Sequence, residues 1–380
     1  VTVEDLRNLF RFFSTTQCRG RSAVYQELAT RVADDDQLLQ LVMIAPPAQR
    51  RPSLLFASVN WLLARDPDAP LRRYYPIHGG DQGVDEELYP MFADFCREHR
   101  AALAEVLAHR STQTNEVRRC VALRWGLSRL AARWPGAVHL VEVGTSAGLN
   151  LFFDRYTYRI GGRELDGPDS DVVIATELRG PADRLAWADR PSPMILRRLG
   201  LDQAPVDLAD EEARRWLEAF VWPEHRSELA TLRAAISTFR ASDSELALVR
   251  GDALTDTAAL ITELPGDEPV LVFTATLLSY LSAVQSHAFV EQLELAARHR
   301  RVAWVFAESA ALVAGSGVST PGLAGPLAKA AAVCAVGVSF RGDGDQEEDV
   351  LALADPYLRW VAPARTDDDD FAWAAAEGLY

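Results

Sequence analysis

Apolar positions in the first third of the chain recur at helical spacing. Leu6, Leu9, Phe10 and Phe13 fall at i, i+3, i+4 and i+7, the stripe of an amphipathic helix. Val24, Leu28 and Val32 predict a second helix, and residues 38–43, 54–63 and 88–110 read as further helical segments. In the last of these, Phe92, Phe95, His99, Leu103 and Leu107 lie near one face. Pro46-Pro47 and the run Asp66-Pro67-Asp68-Ala69-Pro70 are breakers between them. There is no strand signal here, so residues 1–110 are expected to form a helical cap domain. A helix with Cys120, Leu123, Leu127, Leu130 and Trp134 inward follows, with Thr114 as its expected cap.

From Val138 the pattern changes. Short apolar runs, Val138–Val143, 195–201, 246–249, 269–273 and 302–306, alternate with helical stretches, which implies a mostly parallel sheet. Residues 156–160 alternate like a strand, turn at Gly161-Gly162, and are expected to pair with residues 172–174 as a hairpin. Residues 335–340 and 350–354 predict a final hairpin. The expected organisation is a core over residues 111–360, with a hairpin insertion at 156–190 and a helical insertion at 207–240. A glycine- and proline-rich loop is expected at 315–325, and an acidic, solvated tail at 361–380.

Composition narrows the function classes. A net charge of −15 argues against nonspecific binding to nucleic acid or an anionic membrane. No apolar run approaches a membrane span, and the first residues lack the basic start of a signal peptide, so a cytoplasmic location is expected. Four scattered cysteines without a Cys-x-x-Cys pair give no metal signature. A single lysine, Lys329, leaves little room for Schiff-base chemistry.

Candidate chemistry centres on Glu142-Val-Gly-Thr-Ser-Ala-Gly-Leu-Asn150, where a buried strand runs into a glycine turn. Glycines there let backbone approach a ligand. Two patterns overlap in it. Glu142, Gly144 and Gly148 suit a nucleoside cofactor, whereas Gly144, Ser146 and Gly148 spell the nucleophile elbow of serine hydrolases. Ligands on parallel sheets bind at the carboxyl ends of strands, which here carry Glu142, Asp202, Asp252, Thr274 and Glu308. Successive acids suit ribose hydroxyls and an adenine amine. Ser146 stands where a dinucleotide fingerprint needs its second glycine, so NAD and FAD fit less well. The hydrolase alternative would take Ser146 as nucleophile, His78-Gly-Gly80 as oxyanion loop and Asp252 as acid, but no histidine follows His299.

The strand order resembles a class I S-adenosylmethionine-dependent methyltransferase, implying a Rossmann-like, seven-stranded, mostly parallel α/β sheet. The resemblance implies that Glu142, Gly144, Thr145, Ser146, Gly148 and Asn150 hold the cofactor's methionine end. It places Asp202 at the ribose, Asp252 and Ala253 at adenine, and Thr274 beside them. Cys18-Arg-Gly-Arg-Ser22, Gln113-Thr-Asn-Glu-Val-Arg-Arg119, the Glu142–Asn150 turn with Asp154-Arg-Tyr156, Trp216-Leu217, Trp222-Pro-Glu224 and Arg226 are a further set of marks. Through them nearly the whole chain resembles a bacterial family of unknown function, number 2332. Members often have a histidine where this chain has Asn60, and His-Gly where it has Tyr357-Leu358.

In the class I fold the helix before the first strand packs over the cofactor, so Asn115, Glu116 and Arg119 are candidate substrate-side residues. His78, Tyr75 and Tyr280 are further catalytic candidates. The bland reading of Glu116 is a helix-start acid favoured by the dipole, with a salt bridge to Arg119. The implied activity is methyl transfer from S-adenosyl-L-methionine to a small molecule, with Arg119 and Arg226 hinting at an acidic one. Aminocarboxypropyl transfer, cyclisation, or cofactor binding without turnover would use the same pocket.

Overall fold

The computed structural model describes residues 2–165, 167–180, 192–242, 246–320, 323, 333–342, 344 and 346–363. The chain folds as two compact units, residues 1–114 with 207–233, and residues 115–206 with 234–380. The helical segment 207–233 thus groups with the N-terminal helices.

The first unit contains α1 (Val3–Phe12), α2 (Ala23–Val32), α3 (Asp36–Val42), α4 (Pro52–Leu63), α5 (Leu88–Glu98) and α6 (Arg100–His109). Leu6, Phe10 and Phe13 turn inward as expected, but Leu9 is exposed, so the apolar arc is narrower than the spacing suggested. The helix expected over residues 88–110 is broken at His99 (φ −98°, ψ 16°), whose ring stacks on Phe95. The core of this unit is aromatic: Phe56 packs against Phe10, Phe13, Tyr25 and Phe92 with ring centroids 4.5–5.9 Å apart. Later in the chain come α8 (Glu211–Glu218) and α9 (Arg226–Ala241).

The second unit opens with a 3₁₀ turn, Val117–Arg119, then α7 (Cys120–Arg133). Thr114 does not cap this helix. Glu116 is extended (φ −96°, ψ 98°) and its side chain accepts from Arg118 N, taking the capping role at the turn's start. The sheet strands are β1 (Val138–Val143), β2 (Thr157–Ile160), β3 (Arg163–Glu164), β4 (Val173–Leu178), β5 (Ile195–Asp202) and β6 (Leu246–Arg250), followed by β7 (Val270–Ala275), β8 (Val302–Ser309), β9 (Cys334–Arg341), β10 (Glu347–Ala354) and β11 (Trp360–Pro363). Helices α10 (Thr257–Thr262), α11 (Ala283–Ala297) and α12 (Ala310–Ala314) fall between the later strands.

These strands make one sheet in the order β3-β2-β4-β11-β10-β9-β8-β7-β1-β5-β6. The expected parallel block is present as β6-β5-β1-β7-β8, and β9–β10 is the expected antiparallel hairpin. The sheet has eleven strands where seven were expected. Residues 157–178 and the late strand β11 add a four-strand extension beyond β10, pairing an edge that would otherwise present open hydrogen-bonding groups. β4 also runs parallel to β2, not as its hairpin partner. The hairpin at Gly161-Gly162 joins β2 to β3 instead.

Alternation along β8 builds two faces. Trp304 meets Phe289 of α11 at 5.6 Å on one side, while Val305 meets Gly126 of α7 on the other. Packing is equally close at Gly200 on β5, because a Cβ there would lie 2.5 Å from Thr145 Cγ2 and 2.7 Å from Leu248 Cδ2. Gly200→Ala should therefore destabilise the protein by about 1–3 kcal/mol in urea unfolding, while Gly83→Ala, with nothing within 4 Å, should not. Equal midpoints for the two variants would contradict this packing. Residues 361–363 of the expected acidic tail are instead the buried end of β11, and residues 364–380, with 321–322 and 324–325 of the glycine-rich loop, lie outside the described residues.

Candidate functional site

β1 has β5 on one side and β7 on the other, so the chain reverses its direction of strand addition there. Such a switch point leaves a crevice at the carboxyl ends of the strands. Glu142 stands at that end, 2% exposed. Its Oε2 accepts from Thr145 Oγ1 (2.7 Å) and its Oε1 from Asn150 Nδ2 (2.8 Å). The carboxylate thus shapes the turn from within. Burial pushes it up to about 7, against the lowering effect of those two donors and of Arg119. Gly144, Ser146 and Gly148 take left-handed backbone (φ 77°, 54° and 75°). Glycine adopts this freely, serine at a cost. After Gly148 the chain makes only a kinked 3₁₀ segment, Leu149–Arg155, so no full helix follows β1.

The loop after β5 closes on this turn. Asp202 Oδ2 accepts from Ser146 N (2.8 Å), its Oδ1 from Ala204 N (2.9 Å), and Val206 N donates to Ser146 O (3.0 Å). Asp252, after β6, accepts from Leu254 N (2.8 Å) and Gln203 Nε2 (2.9 Å), and Ala253 beside it is half-buried. Both acids therefore have structural duties.

Asn115 Nδ2 donates to Thr145 O (3.0 Å), pinning the segment before α7 onto the turn. Its Oδ1 is buried without a hydrogen-bond partner, as is Ser146 Oγ. Glu116 is committed by one oxygen to its cap and forms no ion pair with Arg119. Arg119 is 7% exposed and points elsewhere, its Nε donating to Pro356 O at 3.4 Å.

On the far side of β1, Thr274 is fully buried; its hydroxyl accepts from Trp304 Nε1 (3.0 Å) and also hydrogen-bonds Glu308. Glu308, at the end of β8, accepts from Leu277 N (2.9 Å) and Leu278 N (3.1 Å). Burial raises it too, to about 7. It fixes the turn after β7, where Thr276 is left-handed (φ 61°) and Tyr280 is 37% exposed. Glu308 was visible only as a strand-end acid; its role depends on a turn that no motif marks.

None of the second unit's histidines hydrogen-bonds Ser146, the serine of the elbow pattern. His139 lies at the amino end of β1 against Pro265 O (3.0 Å), His287 bonds Ala283 O (2.8 Å) within α11, and His299 follows α11. No described residue hydrogen-bonds Ser146 Oγ. Among the described residues there is no cluster of three or more His, Cys, Asp or Glu placed to hold a metal, and no helix long and apolar enough to cross a membrane.

A family model described as an uncharacterized protein conserved in bacteria (DUF2332) matches residues 7–362. The chain belongs to this family. No curated protein matches it.

Several residues that carry the DUF2332 resemblance brace the first unit. Glu224 accepts from Ser22 Oγ (2.7 Å) and Val24 N (2.9 Å), fixing the start of α2. Arg226 donates to Pro76 O (2.7 Å) and Gly80 O (3.1 Å), holding the loop that carries His78. His78 Nε2 meets Asn60 Oδ1 at 2.6 Å, and Asn60 Nδ2 donates to Ala219 O (2.9 Å) and Val221 O (3.2 Å). Burial, the first cause, and Arg72 lower His78 to about 4, so it is neutral near pH 7 and donates through Nε2 to the Asn60 oxygen. Tyr75 is fully buried with its hydroxyl unpartnered. Asn60 is thus a structural amide in this chain. Leu358 is left-handed (φ 50°) and fully buried. That backbone shape is one glycine adopts without the cost a leucine carries.

Proposed function

We propose that this chain binds S-adenosyl-L-methionine at the carboxyl edge of β1 and transfers its methyl group to a small molecule. One observation carries the reading. Two buried polar atoms, Asn115 Oδ1 and Ser146 Oγ, lack partners beside a left-handed glycine turn at the switch point of a parallel sheet. Leaving such atoms unpaired is costly, which points to a ligand that supplies the missing hydrogen bonds. Asn115 Oδ1 can accept only from a donor, and an amino-acid ammonium is one. Ser146 Oγ can either donate or accept.

The other residues fit in part. Asp202 and Asp252 each accept one hydrogen bond per oxygen, and a carboxylate oxygen has lone-pair capacity for a second donor such as a ribose hydroxyl or an adenine amine. The cofactor supplies an activated methyl on a sulfonium, so this chain's residues need only align the acceptor and take up a proton. Glu116 is suited to that proton, since among the described residues only one of its oxygens accepts a hydrogen bond, from Arg118 N.

Asp252→Ala should weaken S-adenosylhomocysteine binding at least about tenfold by calorimetry, the scale of one lost charge-assisted bond. Glu116→Gln should spare that binding and lower turnover. Normal binding and turnover in both variants would overturn these assignments.

A further inference from the structure

We propose that Arg119 is the receptor for a carboxylate on the second substrate, so that this site acts on a carboxylic acid. The inference rests on the site reading above for its location, but on Arg119 alone for its chemistry.

Arg119 is 7% exposed, and among the described residues its guanidinium makes one hydrogen bond, the 3.4 Å contact to Pro356 O. No described carboxylate lies within 4.0 Å of it, the ion-pair distance. It is close enough to Glu142 and Glu308 to favour the ionised form of each, yet both acids commit their oxygens elsewhere, to Thr145 and Asn150, and to Leu277 and Leu278. A buried guanidinium with so few partners is costly. Its planar fork matches a carboxylate through two parallel hydrogen bonds.

Direction separates this group from the cofactor. Along the carboxyl edge, Asp252 and Asp202 follow β6 and β5, on one side of β1. Arg119 reaches the other side. Its one bond goes to the turn after β10, and its charge is felt at Glu308 on β8 and Cys334 on β9. Asp202 and Asp252 on one side and the Arg119 guanidinium on the other therefore flank the β1 turn, where Asn115 and Ser146 would meet the cofactor's amino-acid end.

The test follows the Arg119 side-chain Nε–H signal by NMR in the 380-residue chain, assigned by its loss in Arg119→Met. Propionate is titrated to about 100 mM, a range that captures weak single-group binding, with propionamide as the uncharged control. The expected result is a saturable shift with propionate, none with propionamide, and the same shift after saturation with S-adenosylhomocysteine. Arg119→Lys, which keeps the charge and loses the fork, should weaken propionate binding at least about tenfold, read by calorimetry. No shift, or equal shifts with both probes, overturns the proposal. A shift abolished by S-adenosylhomocysteine overturns it as well, because the cofactor's own carboxylate then occupies Arg119. Should S-adenosylhomocysteine fail to bind, the cofactor reading falls while the propionate arm still decides the role of Arg119.

Discussion

Glu142→Ala is expected to destabilise the protein by about 3 kcal/mol, since it strands two buried donors at about 1–3 kcal/mol each. The donors are Thr145 Oγ1 and Asn150 Nδ2, both buried within the Glu142–Asn150 turn. The loss reaches further than this pair. Thr145 O holds Asn115, and Gly144 N and Thr145 N hold Leu201 O. Loosening the turn therefore frees the segment before α7 and the end of β5 together. Urea unfolding measures the cost, and binding of S-adenosylhomocysteine should be lost with it. Glu142→Gln keeps one acceptor and similar volume, and should recover part of the stability. An alanine variant with an unchanged unfolding midpoint would show that the turn is organised by something other than Glu142.

Second in size is the pH dependence set by the two buried acids. Glu142 and Glu308 are each raised from 4.5 to about 7, burial being the first cause for both. The folded chain then holds these protons more tightly than the unfolded chain does. Their contribution is fully present below pH 4.5 and is lost as the pH rises towards 7, the reverse of an ion-paired carboxylate. Glu308→Gln removes one titrating group. The stability of wild type relative to this variant should fall between pH 5 and pH 7, by about 1–3 kcal/mol when the shift is discounted for relaxation of the buried site. Unfolding free energies at pH 5, 6 and 7 measure it. A flat difference would mean that Glu308 stays ionised throughout, stabilised by Thr274 and its two backbone donors.

Much of the fold was legible because its core strands are apolar runs. Those of β7 and β8 are buried nearly end to end, and their short length with Val-rich, aromatic composition marks such strands where periodicity cannot. The four strands beyond β10 were not legible as part of the same sheet. β3 has two residues and β11 four, too few for a pattern, and their partners are distant in sequence. Thr114 as a cap failed for a local reason: six residues of non-helical chain separate Arg110 from the turn at Val117, and propensity alone could not place Glu116 as the capping group.

The site divides the same way. The turn from Glu142 to Asn150 was evident from its glycines, and the structure adds that Ser146 shares their left-handed backbone. The strand-end acids were evident too, but their obligations to Ser146 N, Ala204 N and Leu254 N depend on loop conformation. Sequence could not distinguish Glu308, which fastens the turn after β7, from a solvated strand-end acid. Nor could it show that the Asp355–Leu358 turn reaches Arg119 across 237 residues of chain.

Calorimetric titration of this chain with S-adenosylhomocysteine tests the central claim most directly. The account predicts saturable binding at one site, weakened by Asp252→Ala and lost in Glu142→Ala. No heat of binding at millimolar concentration, with S-adenosyl-L-methionine equally silent, would contradict it.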